Sequence, residues 1–408
     1  MVKFRRQIKP DMISPGFTKS ARLDVFFPLP LTGRGPSYTC GMIARGMASP
    51  ELDVTVVTPR GALSIFPAHA IQTLPQWARY VPFNLVRSTA EHATESVFRA
   101  RAQGGASCVS GAYIWPDASL QTLLELRKIG VTIFREMINC HRGTAKKILD
   151  HAYEHIGEAP DHTITEASVI SEQSALEAVD FVFCPNAMVE QSLLENGISA
   201  SKILPASYGW EPERLHGAGK ILNETAGLTA VFAGTICVRK GCHLLLDYWA
   251  KSSVKGRLVL AGEIEPVIKK KYAHLLQRDD VVILDYVADI GALYRSADIF
   301  VFPTLEEGGP QVTYEACGCG LPVITTPMGA GRIVRHGQEG FVLDPYDSVG
   351  WIGALRELAE NRPYRATLGS AAVKRADLFR WDVVADRRRV QILDVLARNS
   401  YSVRSAFS

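Results

Sequence analysis

The chain has no apolar run approaching the ~18 residues that a membrane-crossing helix needs, so no span is expected. It also lacks an excess of either charge, because 45 Lys and Arg stand against 42 Asp and Glu for a formal net charge of +3. That balance, without a stripe of basic residues interleaved with aromatics, excludes a nucleic-acid partner. Paired C-x2-C spacing is missing among the eight cysteines, Cys40, Cys108, Cys140, Cys184, Cys237, Cys242, Cys317 and Cys319. Most lie in or beside apolar segments and read as reduced, buried thiols of a cytoplasmic protein. Cys317-x-Cys319 reads as helix packing, and no metal site is expected. Met1 to Pro10 is basic with no apolar segment after it, which does not fit a secretory signal. Internal repeats and low-complexity tracts are absent too.

What remains is an ordinary globular composition, 47% apolar and 21% charged, in a chain of 408 residues. That length exceeds one comfortable core and suits two domains of roughly 150–200 residues each. Short apolar strands alternate with helical stretches throughout, the pattern of doubly wound parallel sheets in an α/β protein. In the first half, strands are expected at Arg22–Phe27, Leu52–Thr58, Ala106–Ser110, Val131–Phe134, Asp180–Cys184 and Lys202–Ser207. In the second they fall at Leu228–Ala233, Arg257–Ala261, Val281–Leu284, Ile299–Phe302, Val323–Thr325 and Gly340–Leu343. Gly111 to Pro116 reads as a loop and Thr89–Ala102 as a helix, while Pro59 to Pro82 takes no regular reading. The division is a basic arm at 1–21, a first Rossmann-like domain at 22–210, a polar linker at 211–227, a second at 228–380, and a last helical segment at 381–408. The arm reads as extended, with a foothold on anionic lipid as the alternative, so membrane contact is at most peripheral at the inner surface.

Chemistry concentrates between Pro303 and Gly331. The strand Ile299–Phe302 stops at a proline; Glu306, Glu307, Gly308 and Gly309 follow, and Pro310 opens a helix to Cys319, since proline costs little at a first helical position. Gly320-Leu321-Pro322 ends it before the next strand. A helix N-terminus aimed at a glycine turn favours phosphate through free N–H groups and the positive dipole end. Glu315 lies one turn inside, on the face of Gln311, with its carboxylate towards the same mouth. Two other loops suit a cleft. Gly33-Arg34-Gly35 follows the first strand but is no dinucleotide fingerprint, because a third glycine would fall at Tyr38. Arg135, Glu136, Asn139, His141 and Arg142 crowd the carboxyl end of another strand, where ligands of parallel sheets bind.

Glu307-x7-Glu315, with Gly320-Leu321-Pro322-Val323-Ile324 and Gly329-Ala330-Gly331, resembles the signature of the retaining family-4 glycosyltransferases, of GT-B fold. The resemblance implies two Rossmann-like domains facing a cleft, the first for the acceptor and the second for a nucleotide-sugar donor, with the terminal helix packing back on the first. It implies that Glu307 contacts the donor sugar, that Gly308, Gly309, Pro310 and Gln311 contact the diphosphate or sugar, and that Glu315 holds the ribose. It places Gly33 and Gly35 by the diphosphate, Tyr286 and Val287 by the base, and His141 among the catalytic groups with Glu307 and Lys240. The family's second phosphate-binding segment is similar to Gly234–Gly241: Lys240 matches its lysine, but its arginine falls at Thr235, leaving Arg239 as the compensating cation or the grip weaker. The implied activity is retaining, metal-independent hexosyl transfer from a UDP or GDP sugar to a hydroxyl of a glycan, a lipid-linked sugar or a small molecule, with no cofactor beyond the donor. The alternatives are a nucleotide-sugar epimerase of the same architecture and a non-catalytic sugar-nucleotide-binding protein.

Overall fold

The computed structural model of the chain describes residues 21–61, 69–104 and 110–405. The basic arm up to residue 20 and Cys108 lie outside the described residues. Two parallel sheets carry the fold. The first contains β1 (Ala21–Phe26), β2 (Leu52–Thr58), β3 (Ala70–Gln72), β4 (Ser110–Ile114), β5 (Thr132–Glu136), β6 (Phe181–Cys184) and β7 (Ile203–Pro205), ordered β3-β2-β1-β4-β5-β6-β7. The second contains β8 (Leu228–Ala233), β9 (Gly256–Ala261), β10 (Val281–Leu284), β11 (Ile299–Phe302), β12 (Val323–Thr325) and β13 (Gly340–Val342), ordered β10-β9-β8-β11-β12-β13. Runs such as Leu228–Ala233 and Ile299–Phe302 are buried at every position because helices cover both faces of each sheet. In each sheet the winding reverses beside its first strand, between β1 and β4 and between β8 and β11. A crevice opens beyond the carboxyl ends at such a reversal.

The expected strand at Ala106–Ser110 falls largely in the undescribed 105–109, and the loop expected at Gly111 to Pro116 is corrected. That segment supplies the central strand β4, with Tyr113 and Trp115 buried. Glycine and aromatics imitate a turn here, whereas Gly111 is present because Leu23 and Phe134 press on it: a Cβ would lie 3.1 and 3.2 Å from them. The helix expected from Thr89 begins at Phe83, directly after Pro82, and the text before it holds β3 and a 3-10 turn, Gln76–Tyr80. Among the described residues, no helix is long and apolar enough to cross a membrane.

The last helix, Trp381–Ser405, returns from the second sheet to the first and lies along the Pro36–Met47 helix. The two approach so closely that a Cβ on Gly46 would fall 2.5 Å from that of Ala385. From this helix Arg388 reaches into the first domain, where both it and its partner Glu136 are buried.

One buried group gives the fold a pH dependence. Among the described residues, His243, in the helix Cys242–Ser252, has no hydrogen-bond partner at either ring nitrogen, and burial pushes its pKa down to about 3. The folded state therefore favours the neutral ring. The stability it confers is complete above the ordinary value of 6.5 and is lost as pH falls from there towards 3. The loss amounts to about 1.4 kcal/mol per pH unit for one proton. His243→Phe is expected to flatten the fall in stability between pH 6.5 and 4.5 in denaturant titrations, relative to the parent chain.

Candidate active site in the interdomain cleft

The Pro303–Gly331 segment leaves β11 at the reversal point and turns into the eight-residue helix Gln311–Gly318. Pro310 occupies the cap rather than the first helical position expected for it, and no side chain caps the helix. The turn is pressed against the first domain. A Cβ on Gly308 would fall 2.1 Å from the Ile138 carbonyl oxygen, and one on Gly309 would fall 2.3 Å from the Tyr208 ring. Only glycine permits either approach.

Two neighbouring carboxylates divide the work. Glu307 pairs with Lys240, accepts from the Thr304 hydroxyl at 3.3 Å and lies 3.5 Å from Arg239. Burial alone pushes its carboxyl up, but Lys240 and Arg239 together outweigh burial and hold it below its ordinary range. Glu306 instead reaches across the cleft. It accepts from the Asn139 amide at 2.8 and 3.0 Å and from the Cys140 N–H at 3.1 Å. Arg239 donates to the Glu306 carbonyl at 3.0 Å and lies 3.4 Å from its carboxylate. Burial raises the Glu306 carboxyl, against the pull of Arg239. Glu315 accepts from Gln311 at 2.8 Å and lies 3.8 Å from Arg214, yet burial still leaves its carboxyl raised. The Thr39 hydroxyl donates to Gln311 at 3.3 Å from the first domain.

Whereas Glu306 lines a neighbouring cavity, Thr39, Arg214, Arg239, Lys240, Glu307, Gln311 and Glu315 line one of about 710 Å³ between the domains. Of the residues expected at the site, Gly35, Arg239, Lys240, Tyr286, Val287, Glu307, Gly309, Pro310, Gln311 and Glu315 line it. Gly33 and Gly308 stand just behind: Gly33 donates its N–H to the Ser37 hydroxyl at 2.9 Å, and Gly308 abuts Ile138. His141 is not brought to the cavity, which corrects the expectation for it. Its ring is buried as the cap of the helix Arg142–His155, with Nδ1 accepting from the Gly143 N–H at 3.1 Å and Nε2 lying 3.1 Å from Gln173. Asparagine accepts the same cap bond, so His141→Asn is expected to keep turnover within about threefold, whereas His141→Ala costs about 1 kcal/mol of stability. Activity assays beside thermal melts check both. A second cavity of about 660 Å³ adjoins the first and shares Ile138, Asn139, Thr235, Arg239 and Glu263 with it.

The sequence profile described as "Glycosyl transferases group 1" matches residues 227–361. The second sheet and the Glu307-to-Glu315 turn both lie inside that stretch. This stretch is similar to the glycosyl transferases group 1 family. The capsular polysaccharide biosynthesis glycosyltransferase CapM of Staphylococcus aureus is 30% identical over 165 residues, 39% of this chain and 43% of that protein. The chain thus spans about two-fifths of the length of the curated relatives it matches. Solved structures extend the likeness to both domains. Sucrose-phosphate synthase of Thermosynechococcus elongatus superposes with a TM-score of 0.68 at 16% identity, over 93% of this chain and 100% of that one. Anabaena HepE, in complex with UDP and glucose, gives 0.63 at 15% identity, over 92% and 99%. The fold is GT-B.

The matched stretch 227–361 supplies Lys240, Arg239, Glu307 and Glu315, while Arg34, Thr39, Asn139, Tyr208 and Arg214 come from outside it. Sequence reasoning missed Tyr208 and Arg214. Arg214 follows Pro212 in the short helix Pro212–Leu215 of the segment read as a linker, and its guanidinium lies 4.7 Å from the Tyr38 ring centroid. The aromatic run Tyr208-Gly209-Trp210, at the end of the segment read as the first domain, was the available signal for Tyr208, since Tyr208 and Trp210 are both buried.

Proposed function

We propose that the chain transfers a sugar, with its anomeric configuration kept, from a nucleotide diphosphate sugar to an acceptor hydroxyl on a glycan, a lipid-linked sugar or a small molecule. The observation that carries the proposal is the half-buried Lys240–Glu307 pair set against the N-terminus of the Gln311–Gly318 helix, with Glu315 one turn further in. In this reading Lys240 and the helix end meet the diphosphate and stabilise the charge that grows as it leaves, a preorganised electrostatic effect. Glu307 accepts from sugar hydroxyls, and Glu315 from the ribose. The bond from the anomeric carbon to the phosphate oxygen breaks, the acceptor oxygen bonds to that carbon on the same face, and the acceptor proton passes to the departing phosphate oxygen. No metal is invoked, since Lys240, Arg239 and the helix dipole supply the positive charge. HepE holds UDP and UDP-glucose on the same fold, which favours UDP over GDP as the carrier here.

The test is incubation with UDP-sugars and GDP-sugars, with and without a hydroxyl acceptor, followed by NMR of the anomeric signals. The proposal expects a product of unchanged configuration and no donor conversion without acceptor. A product of inverted configuration, or an epimerised donor formed with no acceptor present, overturns it.

A further inference from the structure

A cavity of about 880 Å³ opens on the second domain at the opposite end from the cleft. Its walls carry the starts of three parallel strands, at Leu228 of β8, Lys255 just before β9 and Asp298 just before β11. Seven basic side chains line it against three acidic ones, Glu224, Asp298 and Glu360. Asp298 lies 3.3 Å from Arg365 and Glu224 lies 3.6 Å from Lys220, while Arg295 lies 3.5 Å from Asp289, outside the cavity. Among the described residues, the other four cations, Lys255, Arg257, Arg356 and Arg362, form no ion pair. Two of these four are nonetheless held in place. Arg356 donates through Nε to the Ser252 carbonyl at 2.9 Å and through Nη2 to that of Lys251 at 3.3 Å. Arg257 donates through Nε to the Thr229 hydroxyl at 3.2 Å and through Nη2 to the Asn223 carbonyl. Neutral acceptors fix a guanidinium without cancelling its charge. Each arginine also keeps Nη1 without a partner among the described residues.

The helices Cys242–Ser252, Ile290–Arg295 and Ser348–Glu360 all end at these walls. Each C-terminus offers about half a negative charge, so together they reduce the basic surplus without removing it. A single carboxylate would leave much of the remainder unmatched, whereas two linked phosphates bring roughly three negative charges. We propose that this cavity binds a compact soluble polyanion carrying two or more phosphate groups. Arg257 and Arg356 meet it through their free Nη1 groups, with Lys255 and Arg362 from the rim, by charge-assisted hydrogen bonds. The concave shape suits a free ligand and not the flat surface of a bilayer. The site lies at the amino ends of the strands that carry the cleft at their carboxyl ends, so it does not depend on the nucleotide-sugar reading.

The experiment is calorimetry of the full chain with inorganic tripolyphosphate, in saturating UDP so that the cleft does not compete. Lys255→Gln combined with Arg362→Gln removes two exposed cations that form no ion pair among the described residues, so the fold should hold. Tripolyphosphate is expected to bind the parent and to bind this double variant about tenfold or more weakly, the scale of lost charged hydrogen bonds. Lys269→Gln combined with Lys270→Gln removes the same charge from the Pro266–Lys271 helix, outside the cavity, and should leave affinity within about twofold. Equal losses in the two double variants would mean attraction to net charge alone and overturn the site. A parent that binds no tripolyphosphate overturns it as well, also where vesicles of phosphatidylglycerol retain the chain. Should the chain bind no UDP, the donor reading fails, and the same pair of double variants titrated without UDP still decides the cavity.

Discussion

Lys240→Ala is expected to lower kcat by about 10²–10³-fold, the scale for removing one preorganised donor from a developing negative charge. The variant loses the cation that would face the diphosphate and also leaves Glu307 beside Arg239 alone, at 3.5 Å. Since Lys240 is a chief cause of the low Glu307 carboxyl, that group should also take up a proton at a higher pH than in the parent. Glu307→Gln should give a loss of similar size, because the amide still accepts but no longer balances Lys240. The two residues act as a unit, so the double variant should be little worse than either single one. Single-turnover rates with saturating donor, beside circular dichroism to show that each variant is folded, make the check. Turnover within about threefold of the parent in Lys240→Ala would remove the pair from the chemistry.

How much of this was legible beforehand depends on whether a residue's role is local. The strands Leu52–Thr58, Leu228–Ala233, Val281–Leu284 and Ile299–Phe302 emerge with the limits expected for them, because a short run rich in apolar and β-branched residues between turn residues has few other ways to fold. The Glu307-to-Glu315 turn was readable for the same reason, since spacing along one strand, turn and helix fixes it. β4 was misread because its glycine obeys packing against Leu23 and Phe134, partners distant along the chain that no local ~2- or 3.6-residue period reveals as neighbours. His141 illustrates the converse: a polar residue at a strand end is equally suited to a cleft and to a helix cap, and only the fold assigns it to the cap. Tyr208, Arg214 and Glu306 gain their roles from contacts between domains, which no local pattern encodes.

Arg388 lies furthest from what the text displays, in a run of three arginines that reads as a solvated helix face. In the fold it is 1% exposed and meets the fully buried Glu136 of β5, with the Tyr113 hydroxyl 2.7 Å away and the Ser207 carbonyl 3.0 Å away. Arg388→Met is expected to lower stability by about 3–5 kcal/mol, because it leaves a carboxylate buried without its partner. The pH dependence follows from Glu136. Burial raises its carboxyl above the ordinary 4.5 even with Arg388 opposing, and without Arg388 it rises further. A raised folded value means the favourable contribution is complete below 4.5 and is lost as pH climbs through the folded value. The variant's deficit should therefore be smallest near pH 4.5 and grow towards neutrality. Glu136→Met in the same chain removes the stranded charge and should recover most of the loss, short of about 1–3 kcal/mol for the unpaired Tyr113 hydroxyl. Denaturant titrations of the two variants at pH 4.5 and 7 decide it: a deficit that does not change with pH would mean that the lost packing of the Arg388 side chain, and not its charge, sets the effect. The pair also bears on the cleft, since Arg388 fixes the Ser207 carbonyl beside Tyr208, whose ring packs on Gly309 at the cavity wall. Loosening it should raise the apparent KM for donor while kcat moves less, because the terminal helix acts on the wall of the site and not on the reacting atoms.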